Sequence, residues 1–268
     1  MIENFGGNKM KRFRKNELLF SICLIIIYSA QYTLAEKLSA WLGITSSATA
    51  VFNWGLSFVL LLWIRRENLF EYYGLCAIKG SFRDTLYFLP LMVIATRNFW
   101  NGFGVNLPAI DTTFYIASML AVGFLEELLF RGCLFKAIEK QSVKAAFFVS
   151  SLTFGLGHIF HLFDGSGMTL VANFCQVLGA LGVGFVFAAV FYTTGSLIPC
   201  IVTHSLYDAF SAFANETGLT DGFRIATSII VVLIAGLYGL YLLKKKSKSK
   251  PIYESDDCSL PEVSFSDR

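Results

Sequence analysis

Glu126 and Glu127 are adjacent, and Arg131 follows four residues after Glu127, inside a stretch (112–135) that otherwise reads as a membrane-spanning helix. An ionisable group near the bilayer centre costs about 2.5–3.5 kcal/mol on insertion scales, so two carboxylates in one such helix call for a functional reason. On a helix Glu127 and Arg131 share a face with the acid N-terminal, the favourable order for an ion pair. Glu126 is turned about 100° away and is left without that partner. A desolvated carboxylate beside a like charge suits general-base work, the removal of a proton from an attacking water. The plainer reading, a salt bridge that fixes helix packing, needs one carboxylate where this helix buries two.

Two other apolar stretches carry the histidines. In Ser-Leu-Thr-Phe-Gly-Leu-Gly-His, Phe154 and His158 are four apart, and Gly155 and Gly157 remove bulk just before the imidazole, as close helix packing requires. Alone this signal is weak, because a single histidine on an apolar helix more often satisfies a packing contact. His161, three residues on, reads as an interfacial residue near the helix end. In Ile-Val-Thr-His-Ser-Leu-Tyr-Asp, His204 and Asp208 share a face. There the acid can fix the tautomer and orientation of the ring, or both can face one site; the plainer reading is a local hydrogen bond.

Depth gives a partial test of whether these groups meet. At 1.5 Å per residue, Glu126 lies about 21 Å from a helix end near Lys140 and His158 about 22 Å from a helix start near Val143, so the two are level. His204 is only about 12 Å past Ser196 and reads as shallower, unless the 195–199 segment enters the membrane as irregular backbone.

The elements that must position these groups follow from hydropathy. The 268 residues are 55% hydrophobic and only 15% charged, against about 25% charged in a soluble domain, so the chain is a polytopic membrane protein with the lipid bilayer as partner and no nucleic-acid role. Apolar runs fall at about 18–35, 48–64, 86–94, 112–135, 145–163, 170–192, 197–213 and 225–243. They predict an all-α transmembrane bundle of about eight spans, the third weakened by its shortness and by Pro90. Lysine and arginine are lopsided about these runs. One side receives the N-terminal cluster (Lys9 to Lys15), Arg65, Arg66, Lys79, Arg83, Lys136, Lys140, Lys144 and Lys244 to Lys250, the other only Lys37, Arg97 and Arg224. The asymmetry places both termini in the cytoplasm of a multi-pass cell-membrane protein.

The organisation is then a basic cytoplasmic N-terminus (1–16), N-terminal membrane helices (17–110), a catalytic membrane core (111–243) and a disordered cytoplasmic tail (244–268). The first run lacks a cleavage site and is a retained span. The six cysteines form no metal-finger spacing and read as small buried hydrophobes.

At the polar pairs the chain resembles the CAAX protease and bacteriocin-processing (CPBP, or Abi) family of intramembrane endopeptidases, which includes the type II CAAX prenyl proteases. The family pattern Glu-Glu-x-x-x-Arg, Phe-x-x-x-His and His-x-x-x-Asn/Asp is met by Glu126-Glu127-Leu-Leu-Phe-Arg131, Phe154-Gly-Leu-Gly-His158 and His204-Ser-Leu-Tyr-Asp208. Each motif is short, but three in order on successive spans are specific, and together they cover roughly 112–213.

The resemblance implies a helical membrane domain whose polar cavity opens toward the cytoplasm and cleaves peptide bonds. Glu126 would activate water with help from His158, Glu127 and Arg131 would organise the site, and His204 and Asp208 would polarise the scissile carbonyl. Asp208 departs from the Asn usual in the prenyl-protease branch. An ionised carboxylate cannot donate to an oxyanion, so Asp208 must be protonated, act through His204 or bind a metal. Two schemes stay open: zinc held by Glu126, His158 and His204, or a metal-free glutamate and histidine pair, which is preferred because no HExxH fixes two ligands on one helix turn. The substrate is expected to be a membrane-associated peptide or protein. The alternatives are a non-catalytic bacteriocin-immunity or scaffold protein of the same fold, and a small transporter, which would show internal repeats that the chain lacks.

Overall fold

The computed structural model describes residues 16–78, 88–163 and 167–248. Among these the protein is all-α, with one isolated bridge between Phe103 and Ala214. In chain order the helices are α1 (Glu17–Leu42), α2 (Ser47–Arg66), α3 (Leu89–Ala95), α4 (Ala109–Glu127), α5 (Val143–Gly157), α6 (Leu170–Thr194), α7 (Ile198–Phe210) and α8 (Asp221–Lys248). The α4 helix does not stop at Glu127: it continues as a π-helical stretch, Leu128–Phe135, and a last α-turn, Lys136–Glu139. Short 3₁₀ turns extend α3 (Thr96–Phe99), α5 (His158–Leu162) and α7 (Ser211–Phe213). Ser142 and Thr169 begin α5 and α6 as caps, each accepting a backbone N–H at 3.2 Å.

Six helices among the described residues are long and apolar enough to cross a membrane: Glu17–Leu42, Ser47–Arg66, Ala109–Glu139, Val143–Leu162, Leu170–Thr194 and Asp221–Lys246. The expected runs at 86–94 and 197–213 are different. They form the short helices α3 and α7, each with a proline in its first turn, where the missing N–H removes no intrahelical bond. Polar and apolar groups are arranged inside out relative to a soluble protein. Ser21, Asn53, Ser57, Ser118 and Thr203 are buried, while Leu19, Ile26, Trp41, Phe58 and Leu237 are exposed, as a lipid-facing surface requires. This is a multi-pass membrane protein.

Contacts at the two ends of the bundle record how the chain runs. At one end Glu17 pairs with Lys140 and accepts from the Tyr72 hydroxyl, the Leu197 N–H donates to Gly74 O (2.7 Å), and Lys246 Nζ donates to Tyr192 O (2.5 Å). At the other, the Thr45 N–H donates to Asp111 (2.8 Å), Asn101 to Asn215 O (2.7 Å) and the Gly104 N–H to Phe213 O (2.9 Å). The short α7 therefore connects one end to the other, from Leu197 to Ala214.

Two close approaches set the core. A Cβ on Gly123 would lie 2.6 Å from the Ser205 backbone nitrogen, so α4 and α7 touch backbone to backbone just before the paired glutamates. Gly155 has the expected role, since its Cβ would meet Leu181 Cγ at 2.5 Å, whereas a Cβ on Gly157 would meet nothing within 4 Å. Of the cysteines, Cys133, Cys175 and Cys200 are buried, but Cys23 is exposed and Cys76 half-buried; Cys258 lies outside the described residues. The α8 helix runs on through the lysine run to Lys248, where cations suit the negative end of the helix dipole. The rest of the expected tail (249–268), the basic segment up to residue 15, and Lys79 and Arg83 lie outside the described residues.

Candidate active site

Glu127 is the centre of the polar cluster. Fully buried, it accepts through one oxygen, Oε1, from Arg131 Nη1 (2.8 Å) and lies 2.8 Å from His204 Nδ1. The first contact is the i, i+4 pair expected from spacing; the second joins α4 to α7 across 77 positions. Arg131 sits inside the π-helical stretch, all of it buried, and loosened turns of this kind occur often at functional sites. Its guanidinium lies 4.1 Å from the Phe154 ring centroid and 5.6 Å from that of Phe187. These faces provide cation–π contact to a group whose Nε and Nη2 have no hydrogen-bond partner.

His204 is held at both ring nitrogens. Its Nε2 lies 3.2 Å from Asp208 Oδ2 and 3.9 Å from Glu126 Oε2, while Nδ1 faces Glu127. A neutral imidazole has one N–H and can donate to only one of these sides, whereas the imidazolium can donate to both. Depth alone makes His204 shallower unless the 195–199 segment enters the membrane as irregular backbone. Ser196 and Leu197 are buried and the Leu197 N–H donates to Gly74 O, so the backbone of the segment that starts α7 is covered by protein.

Glu126 is not without a partner. The Tyr28 hydroxyl of α1, itself 5% exposed, donates to Glu126 Oε1 at 3.1 Å. Sequence reasoning missed Tyr28: it lies 98 positions from Glu126, and one tyrosine in a hydrophobic first span carries no signal of its own.

His158 joins the cluster less directly. Its Nδ1 lies 3.0 Å from Phe154 O one turn back, and Asn173 of α6 donates to the His158 carbonyl at 2.8 Å, fixing the end of α5. Phe154 links the two histidines, its ring edge-on to His158 (centroids 5.3 Å) and to His204 (5.6 Å). His158, His204 and Asp208 line a common cavity of about 90 Å³, whereas Glu126 faces Tyr28 and is outside that lining. His161 lies beside His158, with ring centroids 5.9 Å apart and the planes tilted by 60°.

The structure thus brings together Glu126, Glu127, Arg131, His204 and Asp208, and reaches His158 through the cavity rather than through contact with Glu126. The set considered for zinc does not assemble. Both His204 nitrogens face carboxylates, and among the described residues no three His, Cys, Asp or Glu side chains are arranged to hold a metal ion.

Residues 108–210 match the family model of the type II CAAX prenyl endopeptidase Rce1-like proteins. The match runs from the start of α4 to the end of α7, contains all three motifs, and bears out their resemblance to the CAAX protease family. Neither a curated protein nor a solved structure matches the chain.

Proposed function

We propose that this chain, whose core is of the CAAX protease family, is an intramembrane endopeptidase acting on membrane-associated peptides or proteins. The observation that carries the reading is the convergence of motifs from α4 and α7 on one buried histidine, flanked by Glu126, Glu127 and Asp208. Glu126, steadied by Tyr28, takes a proton from the attacking water while the water oxygen adds to the scissile carbonyl; His158 helps to orient that water from the cavity wall. His204 in its cationic form donates at both nitrogens, to Glu127 at Nδ1 and, at Nε2, to the developing oxyanion in place of Asp208. Asp208 so acts through His204, which accounts for an acid where an amide is usual. Glu126 then returns the proton to the leaving amine as the C–N bond breaks. The test is a comparison of membrane peptide and protein profiles between cells carrying the wild-type chain and cells carrying Glu126→Gln; identical profiles would reject the peptidase reading.

The mechanism calls on no metal, because the donors do not converge. Purified active protein should therefore carry no stoichiometric zinc and should keep its activity after exhaustive chelation. Loss on chelation with recovery on added zinc would replace this mechanism and leave the same residues as the site.

Tyr28→Phe should lower the cleavage rate by about tenfold at normal membrane accumulation, since it removes one hydrogen bond to a charged group without changing shape. A wild-type rate would show that Tyr28 only packs.

For the topology, the alternation of contacts between the two bundle ends supports eight passages, α3 and α7 being short ones with protein neighbours, and the lysine and arginine asymmetry supports cytoplasmic termini. Reporter cysteines near Lys9 and Lys250, in an otherwise cysteine-free chain, should be shielded from an impermeant reagent in intact cells, while one near Glu216 should react. Labelling of either terminus would break this topology.

A further inference from the structure

Arg97 stands apart from the ion pairs of the active site. It lies in the 3₁₀ turn after α3, is partly buried, and is one of only three cations that the charge pattern assigns to the side away from the cytoplasm. Its guanidinium donates to hydroxyls alone: Tyr207 at 3.2 Å, Ser228 at 3.3 Å and Thr227 at 3.5 Å. Among the described residues no carboxylate forms an ion pair with it. A cation inside a membrane protein with only neutral partners is costly, and such groups characteristically face substrate paths.

Arg97 lines the same cavity as His158, His204 and Asp208. A further polar group points to a ligand there. Gln176, also in the lining, has a buried Oε1 with no hydrogen-bond partner, an acceptor matched to a peptide N–H. Asp208, the acid in the lining, is turned to His204 at 3.2 Å and forms no ion pair with Arg97. At about 90 Å³ the cavity exceeds several-fold what one ordered water requires, and it admits a small charged group rather than a bulky side chain.

We infer that this cavity is a subsite for a carboxylate of the substrate, bound by Arg97, with a neighbouring amide N–H donated to Gln176 Oε1. The inference rests on the peptidase reading above. The carboxylate comes from an acidic side chain or from the substrate's own C-terminus; a guanidinium recognises both in the same way.

Binding can be measured without turnover, using full-length Glu126→Gln protein in nanodiscs and N-myristoylated fluorescent hexapeptides. One peptide is neutral with an amidated C-terminus, one is the same sequence as the free acid, and a third set is amidated with a single Glu walked through each position. At least one acid should bind about tenfold more tightly than the neutral amide, as a charged hydrogen bond predicts, and the tightest one identifies the source. Adding Arg97→Gln should erase the preference. Equal binding of acids and amide, or a preference that survives Arg97→Gln, overturns the subsite. The first comparison uses native Arg97, so it decides even if the Arg97 variant fails to fold. Cleavage by the wild-type protein without acid preference would sink this inference and leave the peptidase standing. Arg97-dependent binding without any cleavage would do the reverse.

Discussion

Glu126→Gln should abolish cleavage while the protein accumulates in the membrane at its normal level. Glutamine keeps the shape of the side chain, and its amide oxygen can still accept from the Tyr28 hydroxyl that now lies 3.1 Å from Glu126 Oε1. His204 keeps Glu127 at Nδ1 and Asp208 at Nε2, so the variant leaves no buried cation without a partner. What it removes is the proton acceptor. Loss of a positioned general base costs about 10²–10⁴-fold in rate, and the expected fall lies in that range. The measurement is single-turnover cleavage by matched amounts of both proteins in nanodiscs, with accumulation followed by immunoblot. A wild-type rate would move the base to another residue, and His158 on the cavity wall would be the next to test.

The contrast between Glu126 and its neighbours shows what could be read from the chain and what could not. Period and spacing are local properties, so the Glu127 to Arg131 pair and the shared face of His204 and Asp208 were legible, and both contacts exist. The bond from His204 to Glu127 was legible only as an order of motifs. Its geometry depends on where α7 begins, and that start is set by a hydrogen bond from Leu197 to Gly74 in the turn after α2. No hydropathy window contains such a contact. Hydropathy likewise located the long helices, and shortness and Pro90 marked the third run as weak, but the run at 197–213 read as a full span because its hydropathy does not register that α7 is only 13 residues long. Tyr28 was hidden for a related reason: its partner is on another helix, and its environment becomes polar only once α1 packs against α4. The π-helical winding around Arg131 has no compositional mark either. Gly157 shows the opposite error, since a glycine beside a histidine looked like a packing notch and proves to face open space.

Arg131→Ala should act on the fold rather than on the chemistry, lowering protein levels before any rate can be compared. Glu127 and Arg131 are both fully buried, and the Arg131 Nη1 contact at 2.8 Å is the one guanidinium bond Glu127 receives, its other oxygen having no partner. Removing the cation breaks a fully buried pair and leaves Glu127 with His204 as its remaining partner, and loss of one member of a buried pair costs about 3–5 kcal/mol, a large part of the stability of an ordinary domain. It also strips the charge from between the Phe154 and Phe187 rings and opens a void there. Charge and void can be separated. Arg131→Met restores most of the volume but not the charge, so it should accumulate as poorly as the alanine variant if the carboxylate is the cause. Glu127→Gln combined with Arg131→Met removes both charges, and replacement of a whole buried pair is often neutral, so levels and melting temperature in detergent should recover. Cleavage should not recover with them, because His204 has lost the carboxylate that orients its Nδ1. An Arg131→Ala protein with wild-type abundance and melting temperature would show that Glu127 is satisfied without the arginine, and the buried pair would then have to be read as part of the chemistry itself.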